Sequence, residues 1–315
     1  MRLAIALALA SSVAAAAASR HQLPHEARVP VGKFELYARE IGQGRPILIL
    51  HGGPDFDQSY FLPDMDQFAD SYRLVYYDQR GRGRSAVNVQ PEDVTLESEM
   101  TDLDAVRDYF KLGSTTLLGH SWGSLIALEY AIRHPDKVSR LVLMNPAPAS
   151  APDWKRLRDA RFAALGDNLQ RMRAIAVSDA FKRGDPDAVT AYYRIHFTQA
   201  IRNPDDLDRL MTRMHASFTN EGVLKARQVE DRLNAETTLV AGYDLLPKLR
   251  SLTIPTLVIY SDHDFIPLDT VSPIAQALPN ARLVTLKDCG HFSFMECPGA
   301  VRKTLKDFFH SWQQR

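Results

Sequence analysis

Net charge is missing from this 315-residue chain: Lys plus Arg and Asp plus Glu each number 38. With no net field, nothing draws it toward nucleic acid or an anionic membrane surface. The run Arg80-Gly81-Arg82-Gly83-Arg84 has the look of an RNA-binding tail, but it is short and isolated in a neutral protein, and it reads as a loop. Cysteine is scarce as well. Only Cys289 and Cys297 occur, on either side of His291, and no metal-type Cys/His spacing accompanies them. They can join only if their Cα atoms come within about 7 Å, and the sequence leaves that open. Internal repeats are absent, and outside the first residues so are low-complexity stretches and any apolar run long enough to cross a bilayer.

What is present is the composition of a globular protein, 45% apolar and 24% charged, with length enough for a large core. The N-terminus stands apart. Arg2 precedes an apolar stretch over residues 3–10, and small residues follow through Ala18 and Ser19 with Ala-x-Ala patterns. That three-part layout predicts a signal peptide over residues 1–19, and hence export to a periplasm or the exterior.

After a polar lead-in, residues 34–40 alternate like a half-buried strand, and residues 46–50, 73–77 and 138–144 form short apolar runs expected of strands covered on both faces. Residues 60–69 and 96–112 carry apolar side chains at helical spacing. Strands alternating with helices imply βαβ units and a mostly parallel sheet, whose functional loops lie at the C-terminal ends of its strands. From Ala151 to about Ala241 the alternation stops, and helices are predicted over residues 153–165, 169–181, 186–198, 204–214 and 221–233. It resumes with a strand at 255–260, a helix at 268–278, a strand at 281–286 and a helix at 298–312. A helical block of roughly 90 residues before the last two strands reads as an inserted cap, because the sheet needs those strands. The expected layout is a core of residues 28–150 and 241–315 with a cap over 151–240.

The most informative stretch is Gly119-His120-Ser121-Trp122-Gly123, with an apolar β-rich run before it and an Ala/Leu-rich helical pattern after it. G-x-S-x-G in that context puts the serine on a strained strand-to-helix turn. A side chain at Gly119 or Gly123 would collide with the neighbouring strand or helix. The turn exposes the Ser121 hydroxyl and leaves the Trp122 amide at the positive end of the helix, where an oxyanion can be held.

A serine hydroxyl is nearly un-ionised at neutral pH, so Ser121 needs a base, and the base needs an orienting carboxylate. In this architecture the chain order is serine, acid, histidine. His263 lies within the acidic loop and His310 inside the last helix; His291, in Asp288-Cys289-Gly290-His291-Phe292 just past a strand, is the choice. The loop Ser261-Asp262-His263-Asp264 offers two acids, with Asp264 preferred and Asp262 in reserve as a residue that satisfies turn amides. Gly53, after the strand ending at Leu50, is the natural second oxyanion donor. His51, Asp78 and Arg80 are expected to brace these loops, and His196 and His215 to be packed cap side chains or pocket walls.

His51-Gly52-Gly53-Pro54, then Asp78-Gln79-Arg80-Gly81-Arg82-Gly83-Arg84-Ser85, then Gly119-His120-Ser121-Trp122-Gly123-Ser124 through His134-Pro135 resemble, in the same order, the signature blocks of the proline iminopeptidase group of serine peptidases, within the α/β-hydrolase fold. The resemblance covers roughly residues 31–147 and 255–312. It implies Ser121 as nucleophile, Asp264 as acid, His291 as base, an oxyanion hole from the Gly53 and Trp122 amides, and no cofactor or metal. The chain departs from the group at Asp55 and His120, where glycine is usual. Its cap also lacks the tryptophan-and-glutamate motif that holds a free N-terminal amine, having only Trp154 together with Glu221, Glu230 and Glu236.

The expected activity is therefore serine hydrolysis through an acyl-enzyme. The substrate is a small molecule or short peptide: an amide with N-terminal proline or, alternatively, an ester or lactone. Epoxide and haloalkane hydrolysis in this fold use an aspartate nucleophile, which Ser121 argues against. A scaffold without chemistry would not need nucleophile, acid and base at three strand ends.

Overall fold

The computed structural model describes residues 23–311. The expected signal peptide over residues 1–19 lies outside the described residues. Eight strands form one sheet in the order β1-β2-β4-β3-β5-β6-β7-β8. These are β1 (His25–Val31), β2 (Phe34–Ile41), β3 (Pro46–Leu50), β4 (Arg73–Tyr77), β5 (Thr115–His120), β6 (Val138–Met144), β7 (Thr256–Ser261) and β8 (Ala281–Leu286). β2 runs antiparallel to both β1 and β4, and all pairings from β4 through β8 are parallel.

The strands are continuous apolar runs because both faces of the sheet are covered. Leu48 and Leu50 pack on one side with Leu117, Leu125 and Val258, while Ile47 and Ile49 pack on the other with Leu118, Val142 and Ile259. Helices α1 (Leu96–Tyr109) and α2 (Trp122–Arg133) cover the sheet in the first half of the chain.

Three local expectations are corrected. The polar lead-in is strand β1, so the core begins before residue 28; Ala27, Val29 and Val31 are buried and their neighbours exposed. Pro30 fits there because an edge strand leaves one row of backbone groups unpaired. Residues 60–69 are two 3-10 turns, Gln58–Phe61 and Asp64–Asp70, separated by Pro63. A proline at that point removes a donor and disfavours helical backbone in the residue before it. The expected helix over 169–181 is two helices, because Ser178 takes extended backbone and its hydroxyl accepts the Phe181 amide as an N-cap.

Between β6 and β7 lies the helical cap: α3 (Ala151–Leu165), α4 (Asn168–Val177), α5 (Asp179–Lys182), α6 (Pro186–Phe197), α7 (Pro204–Ser217) and α8 (Asn220–Glu236). Its entry and exit are clamped together, Ala151 N donating to Tyr243 O at 2.8 Å and Leu245 N to Ala149 O at 3.0 Å. Val189, Phe197, Leu210 and Met211 extend one of the core clusters into the cap. The remaining helices are α9 (Leu246–Leu249), α10 (Leu268–Ala277), α11 (Ser293–Glu296) and α12 (Pro298–Ser311). Among the described residues no helix is long and apolar enough to cross a membrane.

Candidate active site

Ser121 stands between β5 and α2 with φ of 53°, left-handed backbone that a non-glycine residue adopts only when its surroundings enforce it. Ser121 N donates to Met144 O at 3.0 Å, and Ser121 O accepts from Ser124 and Ala147. The glycines leave no alternative: a Cβ on Gly119 would lie 2.4 Å from Gly123 O, and one on Gly123 would lie 2.2 Å from Leu50 O. Strand, turn and helix can close this tightly only with hydrogen atoms at both positions.

Past β8, His291 Nδ1 donates to Asp264, with both carboxylate oxygens at 3.0 Å. That fixes the tautomer and leaves Nε2 as the ring's free acceptor. The two side chains are only 3% and 0% exposed. Asp264 takes two further donors, the Ile266 amide at 2.9 Å and Asn145 Nδ2 at 2.8 Å. Of the two candidate acids it is the one against His291, while Asp262 is 26% exposed and faces Lys287. Ser121 and His291 line one cavity of about 370 Å³, together with Gly53 and Trp122. The Gly53 and Trp122 amides donate to no acceptor among the described residues, and Trp122 begins α2, where the helix dipole favours negative charge.

Sequence reasoning passed over Asn145. Its amide Nδ2 also donates to Ser261 Oγ at 3.0 Å, and its Oδ1 accepts Ser293 Oγ at 2.9 Å. One side chain thus ties the β7 loop to the segment after His291. Its position at the end of β6, level with the other strand ends, was the available signal. His120 has a similar part. The Tyr60 hydroxyl accepts from Gly52 N at 2.6 Å and donates to His120 Nδ1 at 2.8 Å, while His120 Nε2 donates to the His291 carbonyl at 2.9 Å. Burial, with His291 nearby, holds His120 well below the ordinary histidine range, so it bridges these loops as a neutral ring.

His51 receives the Gln79 amide on Nε2 at 3.0 Å, and burial beside Arg82 pulls its pKa down to about 3. Asp78 accepts Gln58 N, Gln58 Nε2 and Arg84 N, and Arg80 pairs with Asp102. In the cap, His196 is half-buried on the cavity wall and accepts a hydrogen bond from Arg161. His215 is corrected: it is half-exposed and meets Asp187 at 2.9 Å on the surface. Of the three cap glutamates only Glu230 reaches the cavity, as does Trp154.

The loop of His291 is fastened to its surroundings at several points. Cys289 and Cys297 form a disulfide with Cα atoms 6.0 Å apart. His291 N donates to Ala200 O at 2.6 Å in the link between α6 and α7. Glu296 accepts both Gly290 N and Arg202 N. A second cavity, about 420 Å³, lies beyond Phe56 and Tyr193, but neither Ser121 nor His291 reaches it. Among the described residues no group of three or more His, Cys, Asp or Glu side chains is arranged to hold a metal ion.

A mostly parallel sheet, a strained serine at the end of β5, a capped strand-end cavity and a His–Asp pair beyond it define a hydrolase architecture. Residues 45–298 match the family model for the alpha/beta hydrolase fold, and the chain belongs to that family and is a hydrolase. A proline iminopeptidase from Lactobacillus delbrueckii subsp. lactis is 27% identical over 305 residues, covering 91% of this chain and 98% of that protein. The structure of a proline iminopeptidase from Mycobacterium smegmatis superposes with a TM-score of 0.69 at 23% identity, covering 91% of this chain and 98% of the other. A thermophilic esterase from Thermogutta terrifontis does so with a TM-score of 0.67 at 22% identity and the same coverages. At these identities the solved structures share the fold.

Proposed function

We propose that the chain is a serine hydrolase that works through an acyl-enzyme. Ser121 Oγ attacks the substrate carbonyl carbon while His291 Nε2 takes its proton, and Asp264 stabilises the resulting imidazolium from Nδ1. The Gly53 and Trp122 amides hold the oxyanion. Collapse of the tetrahedral intermediate expels the leaving group, which receives the proton from His291, and water activated by the same ring releases the acid and restores Ser121. The observation that carries the reading is His291, facing the cavity of Ser121 with its Nδ1 committed to a buried Asp264 that is itself held by two other donors.

Two substrate classes follow from two observations. Release of N-terminal proline from short peptides or amides is supported by the relatives that carry that activity in their names. Hydrolysis of a carboxylic ester or lactone is supported by the cavity itself. A free amine would need an ionised carboxylate in the buried lining; of the three acids there, burial pushes Asp55 and Glu230 above the ordinary carboxylate range, toward the neutral acid, and Asp231 is exposed. The purified chain, offered prolyl arylamides and short acyl esters with Ser121→Ala as control, decides between them. Turnover undiminished in the variant would rule out the mechanism for either class.

Export is proposed with this activity. The Cys289–Cys297 disulfide supports an oxidising compartment. A protein recovered from cells with its original N-terminus, in the cytosol, would contradict it.

A further inference from the structure

The wall of the Ser121 cavity carries buried donors that meet no acceptor. Trp122 Nε1, Trp154 Nε1, Arg161 Nε and Arg227 Nη2 are buried and meet no acceptor among the described residues. All four residues line the cavity. The guanidiniums are held in place by other contacts. Arg227 Nη1 donates to Phe181 O at 2.7 Å and its plane lies 3.6 Å over the Phe181 ring. Arg161 donates to His196 and lies 5.6 Å over Phe265, whose ring packs edge-on against His291 with centroids 4.7 Å apart. Neither guanidinium comes within 4.0 Å of a carboxylate among the described residues, although Asp55, Glu230 and Asp231 line the same cavity. Asp55 is occupied by the Tyr193 hydroxyl.

Two guanidiniums stay cationic at any physiological pH. Three acids line the cavity: Asp55 is engaged by Tyr193, burial and the repulsion of Asp55 raise Glu230 well above its ordinary range, and Asp231 is exposed and pairs with neither guanidinium. A buried charged donor without an acceptor is unfavourable, and a ligand carboxylate is the group that satisfies planar, forked donors best. We propose that Arg161 and Arg227 form a carboxylate-binding subsite, and that the enzyme's acyl substrates are small dicarboxylic half-esters or lactones carrying a free carboxylate. The proposal rests on Ser121 as nucleophile and narrows its substrates to an anionic acyl group, with the carboxylate on the cap and the scissile carbonyl at the turn before α2.

The experiment compares kcat/KM of the full chain for p-nitrophenyl hemiglutarate and for neutral p-nitrophenyl butyrate. The native protein is expected to prefer the hemiester. In Arg161→Gln and Arg227→Gln that preference ratio is expected to fall roughly ten- to a hundredfold, as for loss of a hydrogen bond to a charged group, with partial recovery in Arg161→Lys. An unchanged ratio in both glutamine variants would overturn the proposal, as would a native preference for the neutral ester. Calorimetric binding of glutarate to Ser121→Ala separates the two levels. If Ser121 is not the nucleophile, ester turnover persists in that variant, yet glutarate still binds and binding still weakens on adding Arg161→Gln. If the subsite is wrong, glutarate fails to bind while Ser121 remains essential to turnover.

Discussion

Under the sheet's C-terminal edge, Arg80 grips Asp102 through two nitrogens, and Asp264 is met by His291, Asn145 and the Ile266 amide. Across the cavity, Arg161 and Arg227 are half-buried, with Arg161 Nε and Arg227 Nη2 shut away from solvent, yet no carboxylate pairs with either guanidinium among the described residues. Isolated buried charge is unfavourable in both places, so the difference lies in what completes it. At the sheet the protein completes these charged groups itself, and the result is a fixed geometry. On the cap the set is finished by a substrate, and the result is selectivity. The division matches the chain's construction: strand ends hold positions to a fraction of an ångström, whereas a helical insertion can change its lining without disturbing them.

Substitutions on the two sides sharpen this contrast. The largest effect is expected from Asp264→Asn, which keeps the shape but holds His291 in the wrong tautomer; kcat should fall about 10⁴-fold with the fold intact by circular dichroism. A loss below tenfold would mean that the pair does not position a base. Asn145→Ala removes a donor from Asp264 and is expected to lower kcat about ten- to a hundredfold with a smaller change in KM. An effect on KM alone would place Asn145 with the substrate-completed groups instead.

His51 supplies a pH test of the self-completed side. Its folded pKa of about 3 lies below the ordinary histidine value, so folding favours the neutral ring. The contribution is fully present above about pH 6.5 and is lost as pH falls from there toward 3, because only the unfolded chain takes up that proton. Asp78, pushed up to about 7 by burial beside Asp57, acts with the opposite sign, so the measurement must isolate His51. Between pH 6 and 4, stability measured by urea denaturation should fall less steeply in His51→Gln than in the native chain, by up to about 1.4 kcal/mol per pH unit. Equal slopes would show that the ring is protonated in the folded state. The smallest effect is expected on the cap: Thr219 caps α8 by accepting Gly222 N at 3.1 Å, and Thr219→Ala should cost about 1 kcal/mol of stability with kcat within twofold.

The same division decided what was legible. Strands β3 to β8 and the turn at Ser121 are local signals, an apolar run or a glycine that no other residue can replace. β1 was hidden by Pro30 and by charged residues on its exposed side, and its burial comes only from pairing with β2. The break at Ser178 depends on a cap that competes with an otherwise helical pattern. Asp264 could be preferred over Asp262 on sequence, but the contact with His291 is tertiary. Arg161 and Arg227 were invisible as a site, since an arginine in a helix looks the same whether or not a partner reaches it.

The central claim is that Ser121 is an activated nucleophile. Incubating the folded chain with an active-serine fluorophosphonate and mapping the adduct by peptide mass spectrometry tests it directly. The account predicts one adduct, on Ser121, absent in Ser121→Ala and formed far more slowly in Asp264→Asn. Folded protein that takes no label, or an adduct that persists in Ser121→Ala, would contradict it.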